Sequence, residues 1–240
     1  MLNNITKIIA IASGKGGVGK STVTANLAYA LKEQGKRVGI LDADIYGHNI
    51  PKLLGLSGDV QVTEDKKMIP HEIDGIKVAS MGFVVQEGKP IIWRGPLVHK
   101  AILELYNGVV WGDLDVLLLD LPPGTGDAQL TIITSIPLTG ALIVSTPHRL
   151  SQFDAEKAFR MFEESKQRVF GIVENMSDPV CPHCGKSISL LGSGATEGLC
   201  RKLSTPFLGS IPFAPGIANE IWKTVPENTK EQFRKITEAI

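Results

Sequence analysis

Residues 7–34 read KIIAIASGKGGVGKSTVTANLAYALKEQ, and three kinds of sequence follow one another in that stretch without a break. KIIAIAS is a continuous apolar run, the form of a strand buried on both faces. GKGGVG is a loop in which glycine lets successive backbone N–H groups curl around an anion. KSTVTANLAYALKEQ is amphipathic, which predicts a helix over Lys20–Gln34. Strand, glycine-rich loop and helix in this order are the context that a phosphate loop requires, and Gly14, Gly19, Lys20 and Ser21 fill the pattern Gly-x-x-x-x-Gly-Lys-Ser/Thr. The candidate nucleotide-binding residues are Gly14, Lys15, Gly16, Gly17, Val18, Gly19, Lys20, Ser21 and Thr22. The helix N-terminus adds partial positive charge, Lys20 neutralises the β- and γ-phosphates of ATP, and Ser21 is the expected Mg²⁺ ligand.

The loop carries one lysine more than the pattern needs. Lys15 follows the first glycine, so it is expected to project away from its own pocket. A cation there aids phosphoryl transfer only by reaching phosphates held by another copy of the chain, the lysine counterpart of an arginine finger supplied in trans. The alternative is a solvated surface lysine.

Outward from this loop, apolar runs alternate with helical segments to the end of the 240-residue chain. RVGILDAD, LDVLLLDLP, ALIVSTP, RVFGIVENM and FLGSIP read as further buried strands. Leu97–Val109, Ser151–Gln167 and Thr196–Leu203 read as helices. Such alternation predicts one α/β domain, a mostly parallel sheet covered by helices on both faces. Residues 60–88 break the rhythm, and MIPHEI and GIKVAS are expected to form a small hairpin inserted between units. Asp120 closes an apolar strand, as expected of a carboxylate that orients Mg²⁺ through water, and the loop LPPGTGD after it is placed to sense a γ-phosphate. Asp42 and Asp44 end another strand, at the sheet edge where open α/β proteins bind ligands. They could serve Mg²⁺ and the attacking water, with Asp44 the candidate catalytic group. For Asp42 a purely structural strand-end role is the alternative.

Composition narrows the classes. Lysine plus arginine and aspartate plus glutamate are 25 each, so net charge gives no pull toward nucleic acid or an anionic membrane. Hydrophobic content is 43%, and no apolar run approaches the ~20 residues that span a bilayer. The N-terminus has no basic start or small-residue cleavage site, so a signal peptide is not expected. Three cysteines make no disulfide framework, which points to a reducing, cytoplasmic setting. The C-terminal PENTKEQFRKITEAI carries Phe233, Ile236 and Ile240 on one face and mixed charge on the other. That is a core-packed helix rather than a basic membrane-binding one.

Two of the cysteines stand in VCPHCGK. Cys181 and Cys184, in a loop spanning about 176–190, have the C-x-x-C spacing with which two thiolates share one metal centre. One pair is half of a four-cysteine site, and a homodimer across a two-fold axis would complete it. Zinc, thiol redox chemistry and a structural pair all remain open on spacing alone. His183 reads as a surface residue, and Cys200 falls alone on a predicted helix.

Lys-Gly-Gly-x-Gly-Lys-Ser/Thr resembles the deviant phosphate-loop ATPases, which include partitioning and septum-site ATPases and nitrogenase iron protein. SGKGGVGKST, LDADIYG, IIWRGP, WGDLDVLLLDLPPGTGDAQLT, VSTP, GIVENMS, CPHCG and LGSIPF together closely resemble the Mrp/ApbC family of iron–sulfur cluster carrier ATPases, over nearly the whole chain. The resemblance implies an ATP-dependent homodimer with Lys15 crossing the interface. It also implies a [4Fe–4S] cluster held on Cys181 and Cys184 of both subunits and passed to recipient apoproteins. It further implies that Asn175 contacts adenine and that the segment around Pro212 flanks the base. The chain departs from the family pattern at His48 and Asn49, where relatives usually show Pro-Ser, at His148 and Arg149, and at Leu121.

Overall fold

The computed structural model describes residues 4–240 apart from 46, 84–94, 180, 182, 185, 189–191, 193, 215–216 and 218–220. Its core is a sheet of eight strands: β1 (Asn4–Ala12), β2 (Val38–Asp42), β5 (His71–Ile73), β6 (Ile76–Ser80), β7 (Asp113–Asp120), β8 (Gly140–Ser145), β9 (Val169–Ser177) and β10 (Phe207–Pro212). They lie in the order β10-β9-β8-β1-β7-β2-β6-β5, and every pair is parallel except β5 with β6. β3 (Gln61–Val62) and β4 (Met68–Ile69) form a separate antiparallel pair. The helices are α1 (Lys20–Glu33), α2 (Ile50–Leu54), α3 (Gly95–Gly108), α4 (Asp127–Ser135), α5 (Arg149–Glu164), α6 (Ala195–Leu203) and α7 (Glu227–Glu238).

The doubly wound, mostly parallel sheet expected from the alternation is present, because β2 and β8 are buried along their whole length and need cover on both faces. One side packs Val23, Leu27 and Leu31 of α1 with Phe233 and Ile236 of α7. The other packs Leu117, Leu119 and Leu121 with Ile102 of α3 and Ile132 of α4. Ile240 joins the first of these layers, so the apolar face of α7 is core.

One expectation needs correction. The Asp74–Gly75 turn does join β5 to β6 as an antiparallel hairpin, but β6 is no insertion. Its other edge pairs in parallel with β2, from Gly39↔Lys77 to Asp42↔Ser80, which makes it a full strand of the main sheet. MIPHEI also splits, with Met68–Ile69 pairing back to Gln61–Val62. β1 starts at Asn4, three residues before the apolar run, because its exposed first turn still pairs with β7. Among the described residues no helix is long and apolar enough to cross a membrane.

Candidate functional site

β1 delivers the chain to a loop at the C-terminal edge of the sheet, and α1 leaves it at Lys20. Gly17 and Gly19 hold φ of 81° and 80°, left-handed values that disfavour any side chain with a Cβ. Gly14 is pressed against the backbone of Asp154 on α5, where a Cβ would have no room. Val18 is buried and anchors the middle of the loop. No side chain caps the N-terminus of α1, so its first N–H groups are left to a ligand.

The loop opens onto a cavity of about 570 Å³. It is lined by Ser13 and Lys15 to Thr22 of the phosphate loop and by Asp44, Asn49, Lys52, Leu53, Pro123 and Met176. Below, the side chains of α1 close on Asp120, which is fully buried at the end of β7. Lys20 Nζ is 2.8 Å from Asp120 Oδ1, Ser21 Oγ donates to Oδ2 at 2.6 Å, and Thr24 Oγ1 donates to Oδ1 at 2.8 Å. A hydroxyl and a carboxylate side by side are the hard oxygen donors that Mg²⁺ takes, directly or through its waters. Ser21 and Asp120 thus present oxygen donors of the kind that Mg²⁺ takes.

Asp42 and Asp44 separate into different roles. Asp44 lines the cavity and accepts the Gly47 N–H at 3.0 Å. Asp42, beside Asp120 in register, is fully buried and not on the cavity wall. It accepts the N–H groups of Asp44 and Ile50 and the Ser80 hydroxyl, at 3.1, 3.3 and 3.0 Å. Burial first, and then the charge of Asp120, push its carboxyl well above the ordinary range. In this structure Asp42 ties the loop after β2 to the sheet.

Lys15 also differs from expectation. It is half-buried and lines its own cavity, with Ser13 Oγ donating to its carbonyl at 3.0 Å. Asn175 is buried, and its amide donates to the Val18 carbonyl at 2.8 Å, so in this state it braces the phosphate loop. The residue that reaches the cavity from β9 is Met176, with a left-handed φ of 56°. Pro212 pairs with Ser177 at the end of β10 and does not line the cavity.

Several contributors were not legible beforehand. Gln129 on α4 donates to the carbonyl of Pro122, and Gly124 N–H donates to the Ser13 carbonyl at 3.1 Å, which moors the LPPGTGD loop to the phosphate loop. Lys52 and Leu53 come from α2 and Asn49 from the position before it, a helix too short to show a helical period. Of the departures from the family pattern, His48 packs its ring against Gly82, His148 Nδ1 accepts the Leu150 N–H at 3.2 Å as the cap of α5, and Leu121 is core. The Ile91–Arg94 part of IIWRGP lies outside the described residues.

β9 continues into the cysteine loop. The Cys181 N–H donates to the Lys186 carbonyl and the Ile188 N–H to the Pro179 carbonyl, both at 2.9 Å, closing a narrow turn around the C-x-x-C. Cys181 is half-buried and Cys184 exposed. The backbone N–H groups of Cys184 and His183, with the Cys184 thiol, point at the Cys181 sulfur and hold its thiol below the usual range. Such N–H···S contacts are what a metal-bound thiolate uses. Among the described residues no three His, Cys, Asp or Glu side chains gather into a metal site, so one chain offers two thiols. Cys200 is different in kind: it is buried, its thiol donates to the Pro206 carbonyl at 3.7 Å, and burial with Glu197 and Glu174 pushes it up to about 11. That is an inert thiol.

A parallel sheet with this loop, lysine, serine and buried aspartate defines a P-loop nucleotide-binding protein. More narrowly, the chain belongs to the NUBPL iron-transfer P-loop NTPase family, whose sequence model matches residues 4–240. It is 46% identical to the iron-sulfur cluster carrier protein of Methanocaldococcus jannaschii, over 99% of this chain and 86% of that one. It is 43% identical to the protein of the same name in Escherichia coli K12, over 94% of this chain but 61% of that one. Among solved structures it resembles the nucleotide-binding protein of Archaeoglobus fulgidus in complex with ADP, with a TM-score of 0.78 and 42% identity over 98% of this chain and 89% of that one. The cell division ATPase MinD of Pyrococcus furiosus, at 22% identity and a TM-score of 0.66 over 97% of each chain, shares the fold.

Proposed function

We propose that this protein is an ATP-dependent iron–sulfur cluster carrier that works as a homodimer in a reducing cytoplasm. Each subunit binds ATP with Mg²⁺ at the phosphate loop. The two Cys181–Cys184 pairs meet at the two-fold axis to hold one [4Fe–4S] cluster, which is passed to recipient apoproteins. The observation that carries this reading is the closed cysteine turn, with N–H groups aimed at the Cys181 sulfur, on a chain that also builds a phosphate cradle. A partitioning or positioning ATPase accounts for the cradle but not for the turn. The apolar face that a membrane-binding tail would need is buried in the core.

In this mechanism Lys20 leaves Asp120 for the β- and γ-phosphates, a short rearrangement because Lys20 already lines the cavity. Ser21 and Asp120 are the residues that would hold Mg²⁺, which would supply charge neutralisation at the phosphates. Asp44 orients the attacking water, and Lys15 of each subunit crosses to the other's nucleotide. Replacing Lys15 by Ala is expected to lower turnover by about 10²-fold while ATP affinity changes only a few-fold. Steady-state hydrolysis beside equilibrium binding checks this, and equal loss in both would remove the role in trans.

Iron and acid-labile sulfide, measured with native mass after anaerobic reconstitution, test the proposal as a whole. About two irons and two sulfides per subunit in a dimer support it. Zinc at about one ion per dimer, or a monomer without metal, refutes cluster carriage.

A further inference from the structure

α2 contributes to the lining of the same cavity as the phosphate loop, and one of its lining residues is a lysine. We propose that Lys52 is a phosphate-contacting residue of this cavity that favours a nucleoside triphosphate over a diphosphate. The inference rests on the cavity being the ATP site. Three observations carry it.

The first is placement. Lys52 lines the cavity beside Asn49 and Leu53, on the same side as Asp44. The second is attachment. The Ile50 N–H, at the start of α2, donates to Asp42 Oδ2 at 3.3 Å, and Asp42 stands in register with Asp120. Asp120 in turn holds Lys20 and Ser21. α2 is thus fixed, through two carboxylates, to the end of the cavity where Lys20 and Ser21 meet the β- and γ-phosphates. Ile50 and Leu54 are buried, and the Leu53 N–H donates to the Asn49 carbonyl at 2.9 Å, so the lysine stands on a packed turn rather than a free loop. The third is charge. The cavity lining carries Lys20 and Lys52 beside Asp44, with Asp120 buried beneath and paired to Lys20, and Lys15 belongs to the partner's nucleotide in the proposed dimer. The γ-phosphate adds negative charge that the diphosphate lacks, and an ammonium on α2 in addition to Lys20 complements the triphosphate more than the diphosphate. Lys52 itself is exposed and is not part of the core.

The test compares wild type, Lys52→Gln and Lys52→Arg by titration calorimetry, with Mg²⁺ and either a non-hydrolysable ATP analogue or ADP. Lys52→Gln is expected to weaken the triphosphate about five- to tenfold and ADP less than about twofold, with Lys52→Arg restoring most of the difference. An unchanged triphosphate-to-diphosphate ratio in Lys52→Gln overturns the inference, as does equal weakening of both. Failure of wild type to bind the triphosphate is a separate result: it removes the ATP site itself, and the Lys52 inference with it.

Discussion

Lys20→Ala is expected to abolish measurable ATP binding, a loss of more than about 10³-fold, and to destabilise the chain even without nucleotide. The first effect follows from removing the cation that the phosphate loop aims at the β- and γ-phosphates. The second follows from the floor of the cavity. Lys20 and Asp120 are both buried and 2.8 Å apart, and Asp42 lies beside Asp120 in register. Removing the ammonium leaves two neighbouring buried carboxylates facing each other, and breaking a buried pair from one side costs about 3–5 kcal/mol.

A proton can replace the lost ammonium, and this gives the defect a pH dependence with a definite sign. The carboxyl of Asp42 is already raised in the folded chain, so protonation there favours folding. That contribution is present at acid pH and fades as pH rises through the raised value. In Lys20→Ala the shift is larger still, so the stability deficit relative to wild type should shrink between pH 8 and pH 5. Urea denaturation at the two pH values measures it. Asp120→Asn in the Lys20→Ala background should recover stability without recovering ATP binding. A single variant that is as stable as wild type at pH 8 would mean that the pair contributes nothing to the fold.

The phosphate loop was fully legible in the sequence because its requirements are local: a strand, glycines at fixed offsets and a helix start within one continuous stretch. The cysteine turn was legible as a pair for the same reason. What escaped was set by partners distant in sequence. GIKVAS looks like half of a hairpin, and it is one; only the strand on its other edge, β2, makes it part of the main sheet. α2, at five residues, is too short to display a period, and α4 begins at Asp127, inside the stretch read as a glycine-rich loop. Asp42 and Asp44 look equivalent in LDAD. The sheet register sends one against Asp120 and Ser80 and leaves the other at the cavity, and no local pattern encodes that choice. Asn175 stands on the expected strand, yet its amide is committed to Val18, a contact across 157 positions.

Cys181→Ser is expected to take reconstituted iron from about two per subunit to near zero while leaving ATP binding within about twofold of wild type. The physical basis is the division of labour among three thiols. Cys181 and Cys184 sit in a surface turn closed by its own backbone hydrogen bonds, so a serine there keeps those bonds and removes only a soft ligand. Serine oxygen is a poor substitute for thiolate at iron–sulfur centres, and a site shared across a two-fold axis loses two ligands for each substitution made in the sequence. Half of the four-thiolate set then disappears at once, which is why the expected loss is nearly complete rather than partial. Cys200→Ser is the control, because that thiol is buried, bonded to the Pro206 carbonyl and pushed up to about 11. It should keep its iron and show at most a modest loss of stability. Iron retained in Cys181→Ser would place the metal elsewhere in the chain. Loss of ATP binding together with the iron would mean instead that the cysteine turn and the phosphate loop stand or fall as one unit, through β9, which carries Asn175 and Met176 on its way to Cys181.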